Sequence, residues 1–129
     1  MANQGKATVL DTTEHQAFLD YLATTRQPLQ NKVIYLLGYR AGLRIGSIAG
    51  LALNDVLDPS GELKEVVHLR KDIVKNRSNY SVYLSHPELR QALLDYIAAR
   101  PESEVDNLFV SQKNTAFSAN ALSHKMLKL

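Results

Sequence analysis

The sequence predicts a mainly helical α+β domain that contains one small β-sheet. Apolar residues recur at helical spacing in several segments, β-branched and aromatic residues concentrate in two short segments near the middle, and strong turn signals separate the two kinds of segment. The length of 129 residues, with 45% hydrophobic and 22% charged residues, suits one domain with its own core. We expect a flexible N-terminal arm over residues 1–10 and a single domain over residues 11–129.

The first half of the chain predicts three helices. Asp11 supplies a capping oxygen for the first helix, and Pro28 suits the first turn of the second, where its missing N–H costs nothing. The second helix should end at the Ala41–Gly42 stop. A short third helix is expected over residues 45–51.

The second half predicts a pair of strands followed by helices. A turn signal at residues 58–61 precedes strands at residues 66–69 and 80–84, which are β-branched and aromatic. Pro87 opens another helix. Residues 108–110 are expected to form a short extended piece.

Composition excludes several classes of site. The chain has no cysteine, so it has neither disulfides nor thiolate zinc sites. Its four histidines are far apart in sequence, and no apolar run is long enough to cross a bilayer. We therefore expect a cytoplasmic protein with no metal, no cofactor and no membrane partner. Since the net charge is only +2, a nucleic-acid surface would have to come from local clustering of cations.

Arg44 is the most informative residue, because it follows the break between the second and third predicted helices. A guanidinium at the mouth of a turn can grip one phosphate through paired hydrogen bonds, which a lysine cannot do. The alternative is a helix-end cation that satisfies terminal carbonyl groups.

Residues 37–55 resemble the first arginine box of the tyrosine recombinase (phage integrase) catalytic domain. That pattern reads roughly Gly-Leu-Arg-x-x-Glu-x-x-x-Leu-x-x-x-Asp, and Ser47 stands where the family usually has its glutamate. The matching positions are Gly42, Leu43, Arg44, Leu51 and Asp55. The resemblance implies a helical recombinase-like fold with one small antiparallel sheet. It also implies duplex DNA as partner, metal-free chemistry without a cofactor, and a bacterial or phage-encoded protein of DNA integration and recombination.

A basic segment over residues 64–77 holds five cations and two acids. Cations on a hairpin can lie along a groove and displace counterions from phosphates, although a charged hairpin edge can also serve only to prevent edge-to-edge pairing. By resemblance, the family's sheet lysine falls on Lys75, with Lys71 as the fallback, and would protonate the departing 5′-oxygen of the cleaved strand. The DNA-binding set implied by the resemblance is Arg44, Arg70, Lys71, Lys75 and Arg77.

The rest of the family's active site has no counterpart after the last predicted helix. The family continues with a His-x-x-Arg box, a further His or Trp, and the tyrosine nucleophile. We interpret His68 as a sheet residue, and Tyr83 and Tyr96 as packing residues. Arg44 and Lys75 are thus catalytic positions by resemblance alone, and we expect the chain to be inactive on its own.

The last predicted helix follows Ser118 and carries an apolar stripe of Leu122, Met126 and Leu129. Without the family's later helices, this stripe would leave an apolar patch that a second copy or an intact recombinase could cover. The sequence therefore supports two hypotheses: a catalytically incomplete DNA-binding domain, or an oligomerising remnant that regulates or accompanies an intact recombinase.

Overall fold

The computed structural model describes residues 11–69, 81–111, 113 and 115–129. These ranges confirm the predicted fold class, because they form helices and one two-stranded antiparallel sheet. The predicted arm over residues 1–10 lies outside them. The elements are α1 (Thr12–Leu22), α2 (Pro28–Ala41), α3 (Ile45–Gly50), α4 (Leu53–Val56), β1 (Val66–His68), β2 (Ser81–Tyr83), α5 (Pro87–Ala99) and α6 (Ala119–Leu127).

The helix starts follow the predicted signals. Asp11 caps α1 reciprocally: its carboxylate accepts from the Glu14 backbone N–H at 2.7 Å, and the Glu14 carboxylate accepts from the Asp11 N–H at 3.1 Å. Pro28 opens α2. Ser118 Oγ accepts from the Ala121 N–H at 3.0 Å and caps α6.

The sheet pairs β1 with β2 in the register Val66–Tyr83, Val67–Val82 and His68–Ser81. Val67 and Val82 face the core, as strand alternation requires. The prediction that Tyr83 is a packing residue is wrong, because 65% of its surface is exposed. Alternation places Tyr83 on the face opposite to Val82, and no described element covers that face.

One element in this region of the chain was not predicted from the sequence. Residues 53–56 form the short helix α4. Asp55 Oδ2 stabilises this helix by accepting a hydrogen bond from the Ala52 N–H at 2.8 Å. Residues 108–110, where a short extended piece is predicted, form a buried connection, and Val110 makes an isolated antiparallel bridge with Ala116. The backbone of this connection pairs with a distant turn, since the Leu108 N–H donates to the Leu51 carbonyl at 2.8 Å.

The described residues share one hydrophobic core, in which α2 packs against α5 and α3 packs against α6. Phe109, from the connection between α5 and α6, is fully buried in it and lies 5.3 Å from the Tyr96 ring. Tyr96 is itself buried, which confirms it as a core residue. Its hydroxyl donates to the Leu108 carbonyl at 2.8 Å.

Candidate nucleic-acid interface

The turn between α2 and α3 is built on a left-handed glycine. Gly42 has φ 75° and ψ 20°, a conformation that costs glycine little and other residues more. Its N–H donates to the Gly38 carbonyl, and the Leu43 N–H donates to the Leu37 carbonyl, both at 3.1 Å. These bonds close the end of α2, and Leu43, only 5% exposed, anchors the turn in the core.

Arg44 follows at once as the residue that precedes α3. Its backbone is extended, with φ −80° and ψ 157°, and its carbonyl accepts from the Ile48 N–H at 3.0 Å. Its side chain is exposed. Among the described residues, the guanidinium has no hydrogen bond and no ion pair, and in particular no bond to the last carbonyls of α2.

The other residues of the arginine pattern face inward. Leu43 and Leu51 belong to the core, and Ser47, at the position of the family's glutamate, is buried. Asp55 is buried and caps α4. Of the pattern's side chains, Arg44 is therefore the charged one that the fold leaves exposed.

Two other segments of the chain contact α3, the helix that follows Arg44. At the end of α3, Asn107 Nδ2 donates to the Ala49 carbonyl at 3.2 Å, next to the backbone bond between Leu108 and Leu51. Helix α6 also packs against α3, and a Cβ built on Gly46 would be in ordinary contact with the Cβ of Ala119, at 3.7 Å. Two independent supports restrict how far the Arg44 turn can shift.

Arg100 fixes the backbone of residues 105–108, which includes Asn107 and Leu108. Its guanidinium donates to the carbonyls of Val105 at 2.9 Å, Asn107, and Leu108 at 3.1 Å. An arginine used in this way is structural, because its donors are taken by backbone acceptors. It contrasts with Arg44, whose donors remain available within the described part of the chain.

The basic segment is only partly described. Arg70, Lys71, Lys75 and Arg77 lie outside the described residues, so their roles stay predictions. Lys64 is described, and its Nζ donates to the Asn54 carbonyl at 3.2 Å. His68, the strand residue within this segment, is exposed, and its Nδ1 lies 2.7 Å from Ser81 Oγ.

A partly buried polar cluster joins α1, α2 and α5. Arg40 forms an ion pair, with its Nε 2.9 Å from Glu88 Oε1. His15 is 4% exposed; its Nε2 lies 3.0 Å from the same carboxylate and its Nδ1 2.7 Å from the Tyr35 hydroxyl. The His15 ring also stacks on Tyr39 at 4.3 Å.

The cluster changes the acidity of Glu88. Burial acts to raise the pKa of this carboxyl, but hydrogen bonds from Arg40 and His15 outweigh it and lower the pKa below its ordinary value. The signal in the sequence was the pair Tyr35 and Tyr39, one helical turn apart on α2. Its partners, on α1 and α5, could not be chosen from spacing.

The described residues hold neither a metal cluster nor a membrane-spanning helix. Over these ranges, no three His, Asp or Glu side chains stand close enough to hold a metal ion. No helix in the same ranges is long and apolar enough to cross a membrane.

A mainly helical domain with one small antiparallel sheet is also the fold of tyrosine recombinase domains. Residues 8–129 match the phage integrase family, and the chain belongs to this family. The resemblance predicted from the arginine box is thereby confirmed. The search of curated proteins found no match.

Solved structures show the same fold. The chain is similar to XerA recombinase, with TM-score 0.69 and 19% identity over 98% of this chain and 42% of that one. It is also similar to the Tn1549 transposon integrase in complex with circular intermediate DNA, with TM-score 0.63 and 19% identity over 99% of this chain and 46% of that one. A complex of that integrase with transposon right end DNA has TM-score 0.64, 19% identity, and coverage of 99% and 48%. The chain thus spans less than half the length of these structures.

Proposed function

We propose that this domain binds duplex DNA in integration or recombination, and that Arg44 grips a backbone phosphate. The supporting observation is the contrast within one short segment: the described neighbours of Arg44 in the family pattern are buried, while its own guanidinium is exposed without a described partner. An exposed arginine on a well-supported turn contributes nothing to packing, whereas the planar set of N–H donors on its guanidinium matches the oxygens of a phosphate.

The basic segment would extend this surface. Arg70, Lys71, Lys75 and Arg77 add phosphate contacts in this proposal, and Lys75, or else Lys71, takes the position of the proton donor to the 5′-oxygen. The Tn1549 integrase, which has the same fold, was solved with DNA, and this supports DNA as the ligand. The protein would act where DNA is accessible, in the cytoplasm of a bacterial or phage-infected cell.

We expect binding without strand cleavage from these 129 residues. Phosphoryl transfer to a tyrosine needs the nucleophile and several fixed cations around the phosphate. Tyr96, whose hydroxyl is buried and bonded to a carbonyl, is unsuited to attack DNA. Incubation with a nicked or suicide DNA substrate should therefore yield no covalent protein–DNA adduct.

The binding proposal is tested by fluorescence anisotropy with a labelled duplex over a range of salt concentrations. Arg44→Ala should weaken binding about tenfold, the order of one charge-assisted contact, and reduce the salt slope by about 0.9. Arg44→Lys should preserve most of the slope but recover only part of the affinity, because lysine cannot form the paired hydrogen bonds.

Lys32, on α2 and half-buried, provides the charge-matched control. Lys32→Ala should leave affinity and slope unchanged, whereas Lys75→Ala added to Arg44→Ala should reduce the slope by a further 0.9 or so. Equal binding by wild type, Arg44→Ala and the double variant would rule out the proposed surface.

The second candidate function, self-association or binding of an intact recombinase through α6, has one observation in its favour. Leu127 is 81% exposed near the end of α6, next to the half-buried Met126. Leu122, at the start of the predicted stripe, is fully buried against the domain itself, so the exposed patch is smaller than the sequence implied. Sedimentation velocity tests this function. A dimer that is disrupted by Leu127→Glu, but not by Leu94→Glu on the exposed surface of α5, would support it. A monomer at all concentrations would exclude self-association.

A further inference from the structure

A second cationic surface lies away from Arg44, in a cleft of about 990 Å³. It is bounded by the connection between α1 and α2, by Ser111, Lys113 and Phe117, and by the last turn of α6. Four cations line it: Arg26, Lys113, Lys125 and Lys128. No aspartate or glutamate side chain is among its described lining residues; the carboxylate of Leu129 forms no ion pair there.

Lys125 is the informative cation. It is half-buried, and its Nζ donates at 3.0 Å to Gln27 Oε1, a neutral acceptor. Burial lowers the pKa of its ammonium group. Lys125 forms no ion pair among the described residues. An ammonium that has lost part of its hydration without such a pair gains more from an incoming anion than a fully hydrated lysine does.

Two further unfavourable features occur in the same wall. Gln27, the partner of Lys125, has φ 55° and ψ 54°, the left-handed region, which costs a non-glycine residue about 1 kcal/mol. Asn31 is fully buried; its Nδ2 donates to Thr25 Oγ1 at 2.9 Å and to the Arg26 carbonyl at 2.8 Å, but its Oδ1 has no partner among the described residues. Strain and unsatisfied polar groups that gather at one place are typical of binding sites.

The cleft also has an apolar side. Phe117 is half-buried and Tyr21 is 47% exposed in its lining. Four cations favour a ligand that carries several negative charges over one with a single carboxylate. The aromatic side chains favour a ligand with a flat ring that can stack on them. The volume lies within the range of small-ligand sites.

We propose that this cleft binds a nucleotide, with its phosphates at Lys125, Lys128 and Arg26 and its base against the aromatic side chains. The ligand is either a free nucleotide or a nucleotide of a single DNA strand, whose phosphate and base chemistry are the same. The site is separate from the Arg44 surface. Arg44 is not among the residues that line the cleft.

Isothermal titration calorimetry at low salt, with ATP, sodium triphosphate and adenosine as probes, tests the site on the 129-residue chain. ATP and triphosphate should bind, with ATP the tighter because only it can stack, and both affinities should fall as salt rises. Lys125→Gln should weaken ATP binding about tenfold, as loss of one charge-assisted contact does. Arg26→Gln, at an exposed position where folding is not at risk, should weaken it several-fold.

Lys32→Gln is the matched control and should leave ATP affinity unchanged. Absence of ATP binding at millimolar concentration, or equal binding by wild type, Lys125→Gln and Arg26→Gln, would overturn the proposal. A single-stranded oligonucleotide that displaces ATP, and that loses affinity in Arg26→Gln, identifies the ligand as a DNA strand; ATP binding without displacement identifies a free nucleotide. Arg44→Ala should leave ATP affinity unchanged, so failure of the duplex-binding proposal and failure of this one are distinguishable.

Discussion

Replacing Gly42 by alanine tests the turn that presents Arg44. Gly42 has φ 75°, and a Cβ built on it meets nothing within 4 Å. The cost of Gly42→Ala therefore lies in the backbone alone, about 1–2 kcal/mol for an L-residue in the left-handed region. Reduced entropy of the unfolded chain returns part of this, so we expect a net loss of about 1 kcal/mol.

Gly38, one turn earlier in α2, provides a matched comparison. There a Cβ would lie 3.6 Å from the Leu43 carbonyl oxygen, an ordinary contact, and the backbone is helical. Gly38→Ala should raise stability by roughly 0.5–1 kcal/mol, because alanine has the higher helix propensity. The same substitution thus has opposite signs four residues apart.

Thermal unfolding followed by circular dichroism and calorimetry measures both changes. For a chain of 129 residues, 1 kcal/mol corresponds to a shift in Tm of about 4 °C, downward for Gly42→Ala and upward for Gly38→Ala. Since Arg44 follows the turn directly, Gly42→Ala should also weaken duplex binding more than Gly38→Ala does. A Gly42→Ala variant as stable as wild type would refute the left-handed turn as the reason for glycine here.

The remaining predictions concern the buried polar groups. Because hydrogen bonds hold the pKa of Glu88 below its ordinary value, its contribution to the free energy of unfolding is complete above pH 4.5 and is lost as the pH falls through the lower, folded value. Glu88→Gln should lower the free energy of unfolding by roughly 1–2 kcal/mol at pH 7, measured by urea denaturation. It should also reduce the loss of stability as the pH falls into the acid range. Glu65→Gln, at an exposed position, should do neither. Tyr96→Phe should lower the free energy of unfolding by about 1 kcal/mol in the same urea assay, the low end for a buried hydrogen bond. The reason is that the carbonyl of Leu108 and the amide of Gln30 each keep a second hydrogen-bond partner. A loss above about 3 kcal/mol would contradict this expectation.

The extent of the helices followed from signals that act within a few residues. Asp11 caps α1, Pro28 opens α2 and Gly42 ends it, in each case because the side chain or its absence decides a local hydrogen bond or backbone angle. The arginine pattern was equally local, so the order of residues alone was enough to select Arg44 as the candidate phosphate ligand. Sequence also sufficed for the fold class and the family.

Contacts between distant segments were decided only by the tertiary structure. Leu108 pairs with Leu51, 57 positions earlier, so local propensity could predict a short extended piece at residues 108–110 but not its partner. Tyr83 is exposed because no described element covers its face of the sheet, and His15 meets Glu88 because α1 and α5 both pack against α2. The physical reason is the same in each case: capping and turn energies depend on neighbours in the chain, whereas burial and charge pairing depend on which surfaces the folded chain brings together.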